Sequence, residues 1–328
     1  MTAEESPLRT ATHDTAPSER LLEFMGSQWA EPEPVAVDAL ANAPYHARRR
    51  AALAARFPGE TLLVPTGGFK VRNNDCEYPF RPGSDFVWLT GFHEPGAVLV
   101  IAPDGLATLY TRPPTDRTSA NWFKDRTSEL WLGRRWSPAE IETLLGIGCA
   151  PLPDLEKVLA DLDPARTRVL RGHDAGVDAA VDAAVAPGDR GTDEEGLRDG
   201  ELAAVLSELR LVKDEWEIDQ LDQAVAATVR GFEDVVRALP ADRESSERLV
   251  DGVFGLRARH DGNTVGYGTI AAAGEHAGTL HWDRNDGVCR PGELLLLDAG
   301  VETVHLYTAD ITRTMPVSGQ FSPAQRRV

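Results

Sequence analysis

Leu294-Leu295-Leu296-Leu297-Asp298-Ala299-Gly300 is followed, twelve residues beyond its aspartate, by Asp310-Ile311-Thr312-Arg313-Thr314. Four consecutive leucines between Pro291-Gly292 and Ala299-Gly300 read as a short buried strand closed by an acid. The run 304–317 is rich in β-branched residues and places Asp310 in mid-strand, where a carboxylate is out of character. If the two runs pair as a hairpin, Asp298 and Asp310 can lie opposite each other, and their even separation keeps both on one face unless a bulge intervenes. Like charges so placed must share a proton or hold a cation, and a divalent metal is the simplest answer. A solvated hairpin end with two incidental acids fits the same spacing, so the pair alone leaves both readings open.

The rest of the sequence narrows the class. The 328 residues are enough for about two domains, with 42% hydrophobic and 26% charged residues. A formal net charge of -18 disfavours nucleic acid and anionic membrane as partners. The basic cluster Arg48-Arg49-Arg50 reads as the exposed face of a helix. No apolar run reaches membrane-span length and the N-terminus is polar and acidic, so a cytoplasmic location is expected. Cys76, Cys149 and Cys289 lack CxxC spacing, which argues against a disulfide framework or a zinc knuckle.

In chain order, residues 1–40 read as a mobile arm, with one helix over 19–25 capped by Ser18 and docking through Leu22, Met25 and Trp29. Residues 41–186 read as an α/β domain. Its expected elements are a helix over 46–57, strands at 61–64, 86–90 and 97–102, and a hairpin through Pro103-Asp104-Gly105 into 106–110. Ser137-Pro138 with Glu140 forms a capping box, and helices at 154–162 and 175–184 flank a strand at 167–170. The polar, glycine-rich stretch 187–200 reads as a linker. Residues 201–328 then read as an α+β domain. Asp214 and Glu217 cap a helix with an apolar stripe of Ile218, Leu221, Val225, Val229, Phe232 and Val236; a second helix spans 246–260; strands follow at 266–272, 279–282, 293–298 and 304–317. Ser322-Pro323 with Gln325 announces one more helix, which has about one turn before Val328, so Val328 is not expected to be the natural end of the domain.

The Asp298-Ala299-Gly300 and Asp310-to-Val317 motifs resemble the metal-binding hairpin of the pita-bread metallopeptidases, and 266–270 through Leu280-His281-Trp282 resembles the segment just upstream. Glu77-Tyr78-Pro79-Phe80-Arg81, Gly83-Ser84-Asp85-Phe86, Leu89-Thr90-Gly91-Phe92, Glu94-Pro95 and Trp131-Leu132-Gly133-Arg134-Arg135 are similar in identity and order to the aminopeptidase P N-terminal domain. Leu209-Arg210-Leu211-Val212-Lys213 also fits the start of that family's catalytic part. The resemblance covers about residues 45–328. It implies an α/β domain of the creatinase/aminopeptidase P N-terminal type plus an incomplete α+β pita-bread catalytic domain.

The resemblance further implies release of the N-terminal residue from peptides with proline second. Two divalent metals, usually manganese, would activate a shared water. Asp298 would bind one metal and Asp310 both; His281 would meet the substrate as hydrogen-bond donor or proton shuttle; Tyr267 would line the same pocket. Trp131 would approach a neighbouring subunit's site in a homo-oligomer, or be a buried structural tryptophan. His276 and His305 match no family ligand and are expected in loops or at the surface, while Glu77, Arg81, Asp85 and Glu94 are expected to form an internal salt-bridge scaffold. The family's three later ligands, a histidine in a His-x-x-Gly-His-like segment and two glutamates, have no counterpart here. The expectation is therefore an Xaa-Pro aminopeptidase chain that is inactive as it stands. The alternatives are an Xaa-Pro dipeptidase and a non-catalytic binding or assembly protein of the same fold.

Overall fold

The computed structural model of the chain describes all residues except 1–17, 31–35, 75, 126 and 185–191. Most of the expected arm and the start of the expected linker lie outside the described residues. The chain forms two units, one running up to Gly83 and resuming over Phe92–Gly200, the other comprising Ser84–Gly91 and Glu201–Val328.

The first unit is built on a five-stranded mixed sheet in the order Gly148–Pro151, Ala107–Thr111, Val98–Ile101, Thr61–Pro65, Thr167–Val169. The hairpin through Pro103-Asp104-Gly105 pairs Val98 with Tyr110 and Ile101 with Ala107, as its turn chemistry predicts. Ser137 and Glu140 cap Pro138–Leu145 reciprocally, and Ser18 caps Glu19–Met25. Leu22 of that helix is buried and the Trp29 indole donates to the Met25 carbonyl at 2.6 Å. The basic cluster departs from expectation. Arg49 and Arg50 are buried in Ala43–Ala54, and burial pushes the Arg50 guanidinium down to about 10. Of the stretch read as a linker, residues from Thr192 onward begin the helix Thr192–Leu211, whose Asp199 carboxylate accepts from the Val169 amide and the Arg171 guanidinium. Composition pointed to a loop there; these tertiary bonds override it.

The second unit begins with a surprise. Residues 86–90, expected as a strand, are the core of the helix Ser84–Thr90, with Phe86, Val87, Trp88, Leu89 and Thr90 all buried. A short run buried on every side carries no period to distinguish helix from strand. The helix is tied to its own unit by Asp85–Arg210 at 2.8 Å and by Trp88 Nε1 donating to Glu217 Oε1 at 3.0 Å. Asp85 thus pairs with Arg210 rather than within the expected four-residue scaffold.

Asp214 and Glu217 form the predicted capping box of Glu215–Ala238, and Ser246 caps Glu247–Asp261. Of the apolar stripe read on the first of these helices, Phe232 alone is buried. Ile218, Val225, Val229 and Val236 are exposed, whereas Ala224, Ala227, Thr228, Gly231, Phe232 and Val235 face the core. Small residues win because the helices pack closely: a Cβ on Gly231 would lie 2.6 Å from the Phe254 ring. Behind this pair lies a three-stranded antiparallel sheet, Ile270–Ala273, Leu294–Ala299, Ile311–Pro316 in that order. Leu295, Leu297 and Ala299, with Ala271 and Ala273, pack on Val235, Val250 and Phe254.

Two expected strands are shorter or absent. Residues 279–282 follow the 3-10 turn Gly274–Gly278 without pairing, and of 304–317 only Ile311–Pro316 joins this sheet. Leu306 has a positive φ of 65° in the turn that interrupts the second. Ser322 caps Pro323–Arg327 as expected, and the Gln325 side chain reciprocates.

Candidate metal centre

Strand alternation decides what the sheet presents on its other face. Leu296, Ile270 and Ala272 point away from the helices and pack with Trp282. Asp298 follows Leu296 at the same parity, directly opposite Ile270 on one neighbour and Thr312 on the other. Asp310 is therefore not the cross-strand partner of Asp298; it stands just before Ile311–Pro316, exposed, two residues from Thr312 and on the same parity. The hairpin is offset because a turn, not a continuous strand, delivers Asp310.

The two carboxylates nevertheless converge. Tyr267 Oη lies 2.6 Å from Asp298 Oδ1 and 3.0 Å from Asp310 Oδ1, so one phenol reaches both. Burial, and then both carboxylates, push the Tyr267 pKa well above the usual phenol value, so this hydroxyl stays a donor. Thr312 Oγ1 donates to the other Asp298 oxygen at 2.8 Å. Close backbone approach makes the convergence possible. A Cβ on Gly300 would meet the Ala309 carbonyl oxygen at 1.6 Å, and one on Gly266 would meet Thr308 Cγ2 at 2.1 Å. Gly266 N–H donates to Gly300 C=O at 2.8 Å, stitching the Tyr267 segment to the end of the Asp298 strand.

The turn preceding Asp310 is held separately. Tyr307 Oη donates to Glu217 Oε1 at 2.9 Å, the oxygen that also accepts from Trp88, while Trp216 meets Tyr307 and His305 edge-on. His305 is thus half-buried rather than a surface residue, and burial lowers its pKa. His276 is likewise half-buried, with Nδ1 2.8 Å from Glu247 and its ring stacked on Trp282 at 3.9 Å. His281, next to buried Trp282, is exposed. Trp131 lies in the first unit, on Glu129–Leu132, and at 55% exposure is not a buried structural tryptophan.

Of the residues singled out from sequence, Tyr267, Asp298 and Asp310 form one hydrogen-bonded group. Thr312 was missed, although its place two residues beyond Asp310 in a β-run puts it on the same face. Glu217 was read only as a cap. Oxygen donors of this kind suit a hard or borderline divalent ion. Among the described residues no group of three or more His, Cys, Asp or Glu gathers to hold a metal. In chemistry Asp298 and Asp310 could hold such an ion as two members of a larger donor set.

Residues 46–170 match the aminopeptidase P N-terminal domain and residues 219–328 match metallopeptidase family M24. The chain is 48% identical over 331 residues to Xaa-Pro aminopeptidase 1 of Streptomyces lividans, covering 99% of this chain and 65% of that protein. It is 50% identical over 315 residues to Xaa-Pro aminopeptidase 2 of Streptomyces coelicolor, covering 95% and 65%. Zn-substituted Escherichia coli aminopeptidase P in complex with product is similar in structure, with a TM-score of 0.70 and 30% identity over 88% of this chain and 65% of that one. An α/β domain followed by helices packed on a sheet whose other face carries Asp298, with Asp310 converging on it, agrees with the metallopeptidase class that these matches give. The chain thus carries an aminopeptidase P N-terminal domain followed by an M24 metallopeptidase domain, the second incomplete relative to those structures. It spans 65% of the length of these two Streptomyces relatives.

Proposed function

We propose that this chain carries part of the active site of a metal-dependent aminopeptidase that releases the N-terminal residue from peptides with proline in second position. The observation that supports it most directly is the convergence of Asp298 and Asp310 on Tyr267 Oη. Two divalent ions, manganese in our reading, would supply a nucleophile at neutral pH and polarise the scissile carbonyl when bound. Asp298 would hold one ion and Asp310 both. Tyr267 and Thr312 orient the carboxylate oxygens, as outer partners do for metal ligands generally. His281 donates to the substrate or carries a proton to the leaving amine. The amide before proline has no N–H, so strand-like docking across that bond is unavailable and a dedicated pocket is needed. Tyr267 lines that pocket, and Trp131 reaches a neighbouring subunit's pocket in a homo-oligomer. No helix among the described residues is long and apolar enough to cross a membrane. Cys76, Cys149 and Cys289 are thiols rather than disulfides, which suits the reducing cytoplasm, where we place the protein.

Two aspartates cannot hold a metal pair tightly, so we infer that the 328-residue polypeptide alone does not turn over substrate. The test joins this chain to the C-terminal third of the Streptomyces lividans relative. With Mn2+ the chimera should release the first residue from Xaa-Pro tripeptides, Asp298→Asn should abolish release, and the unextended chain should give none. Release from dipeptides only would replace the reading with a dipeptidase. A metal-loaded, folded chimera without Xaa-Pro cleavage would overturn it.

A further inference from the structure

Glu247 is fully buried at the first position of the helix Glu247–Asp261 and belongs to no motif that points to the metal centre. Its carboxylate accepts four hydrogen bonds. Oε1 receives the Ala273 amide and His276 Nδ1, each at 2.8 Å; Oε2 receives Trp282 Nε1 at 2.8 Å and the Gly287 amide at 2.7 Å. The Glu247 amide in turn donates to the Gly287 carbonyl at 3.1 Å. These donors span the whole loop from the end of Ile270–Ala273 to Gly287, so one side chain closes it. Burial pushes this carboxyl up, but the four donors outweigh it and leave it below its ordinary value. The closure is sterically tight: a Cβ on Gly287 would lie 2.4 Å from His276 Cε1 and 2.8 Å from the Glu247 carboxyl carbon.

The loop is also held at a particular place. Trp282 packs on Ile270, Ala272 and Leu296, the residues that share the Asp298 face of the sheet. Exposed His281 is its immediate neighbour, so the position of one backbone step is set by the Trp282 anchor. We propose that Glu247 is a positioning residue: by fixing Trp282 over the carboxylate face it holds His281 beside Asp298 and Asp310. This inference rests on the assignment of that face as the metal centre.

Two variants of the whole 328-residue chain test it, Glu247→Gln and Trp282→Phe. The first leaves a neutral amide where four donors converge, and the second keeps an aromatic ring at the site but removes the indole donor. Histidine and tyrosine are isotope-labelled and Mn2+ alone is the probe, because paramagnetic broadening falls steeply with distance. In the unsubstituted chain Mn2+ should broaden both the Tyr267 and His281 ring signals. In Trp282→Phe, with far-ultraviolet circular dichroism unchanged, Tyr267 should stay broadened while His281 broadening drops several-fold. Equal His281 broadening in a folded variant overturns the proposal. If Mn2+ broadens neither residue in the unsubstituted chain, the metal assignment fails instead, and the positioning role is read without metal from backbone relaxation at His281. There, order lost in the variants supports the clamp and unchanged order refutes it. Should Glu247→Gln not fold, Trp282→Phe decides alone.

Discussion

Gly300→Ala should damage the second unit more than any other single methyl added to this sheet, because its cost is a collision rather than a conformational preference. The φ of Gly300 is not positive, so alanine can adopt the backbone, yet its Cβ would sit 1.6 Å from the Ala309 carbonyl oxygen and 2.7 Å from its carbonyl carbon. Ordinary contact requires the Ala309 segment to retreat by roughly 1.5 Å, and overpacking of this kind costs about 1–3 kcal/mol. The retreat also breaks the Ala309-to-Val301 bond and strains the Gly266-to-Gly300 bond, at about 1 kcal/mol each. Lower entropy of the unfolded alanine chain returns about 0.5–1 kcal/mol. The net is a loss of about 3 kcal/mol, or on the order of 10 °C in the melting of this unit. Asp310 would move away from Asp298 with the segment, so weakened Mn2+ binding should accompany the lower melting temperature. Gly255→Ala is the control, since nothing lies within 4 Å of its added Cβ in the helix Glu247–Asp261. It should stabilise by about 0.5–1 kcal/mol. Thermal melts followed by circular dichroism and tryptophan fluorescence read both. A Gly300→Ala chain melting within about 2 °C of the unsubstituted one would refute the steric argument.

Tyr267→Phe removes the donor shared by Asp298 and Asp310 and should weaken Mn2+ binding about tenfold, measured by electron paramagnetic resonance titration. Unchanged affinity would mean the phenol does not orient the ligands. Glu217→Gln sets an amide N–H2 or a weaker acceptor against Trp88, Tyr307 and the Asp214 amide, and should lower the urea midpoint by an amount equivalent to about 1–3 kcal/mol. A midpoint that does not move would contradict its role in holding the turn before Asp310. The Asp261 carboxyl is held down to about 2 by His260 first, then Arg230 and Arg257. A depressed folded value means its stabilisation is complete above the unfolded carboxylate range near about 4 and disappears as pH falls through about 2. Asp261→Asn should therefore be less stable at neutral pH and lose less further stability between about pH 4 and pH 2 in acid titrations.

What the sequence disclosed, and what it hid, follow a physical division. Local signals were legible: the capping boxes at Ser137 and Asp214, the cap at Ser322, the Pro103-Asp104-Gly105 hairpin, and a strand carrying Asp298, though one buried at alternate residues rather than throughout, each depend on a few neighbouring residues. Register was not, since pairing Asp298 with Thr312 rather than Asp310 depends on a turn at 303–306 and on backbone contact at Gly300. The helix Ser84–Thr90 was hidden because its buried run is too short to show a period, and its partners Arg210 and Glu217 lie far along the chain. On Glu215–Ala238 hydrophobicity pointed outward while small residues made the closer contact. Glu247 was illegible for the opposite reason. A buried carboxylate is intelligible only once its four donors, spread over 273–287, are seen together.

Joint action of Asp298 and Asp310 on one cation is open to measurement. The experiment is a Mn2+ titration of the 328-residue chain, with broadening followed at Tyr267 and Thr312. Saturable broadening is expected at both residues, and either Asp298→Asn or Asp310→Asn should remove it. Broadening that survives both substitutions, or its absence from these two residues while Mn2+ binds elsewhere, would contradict it.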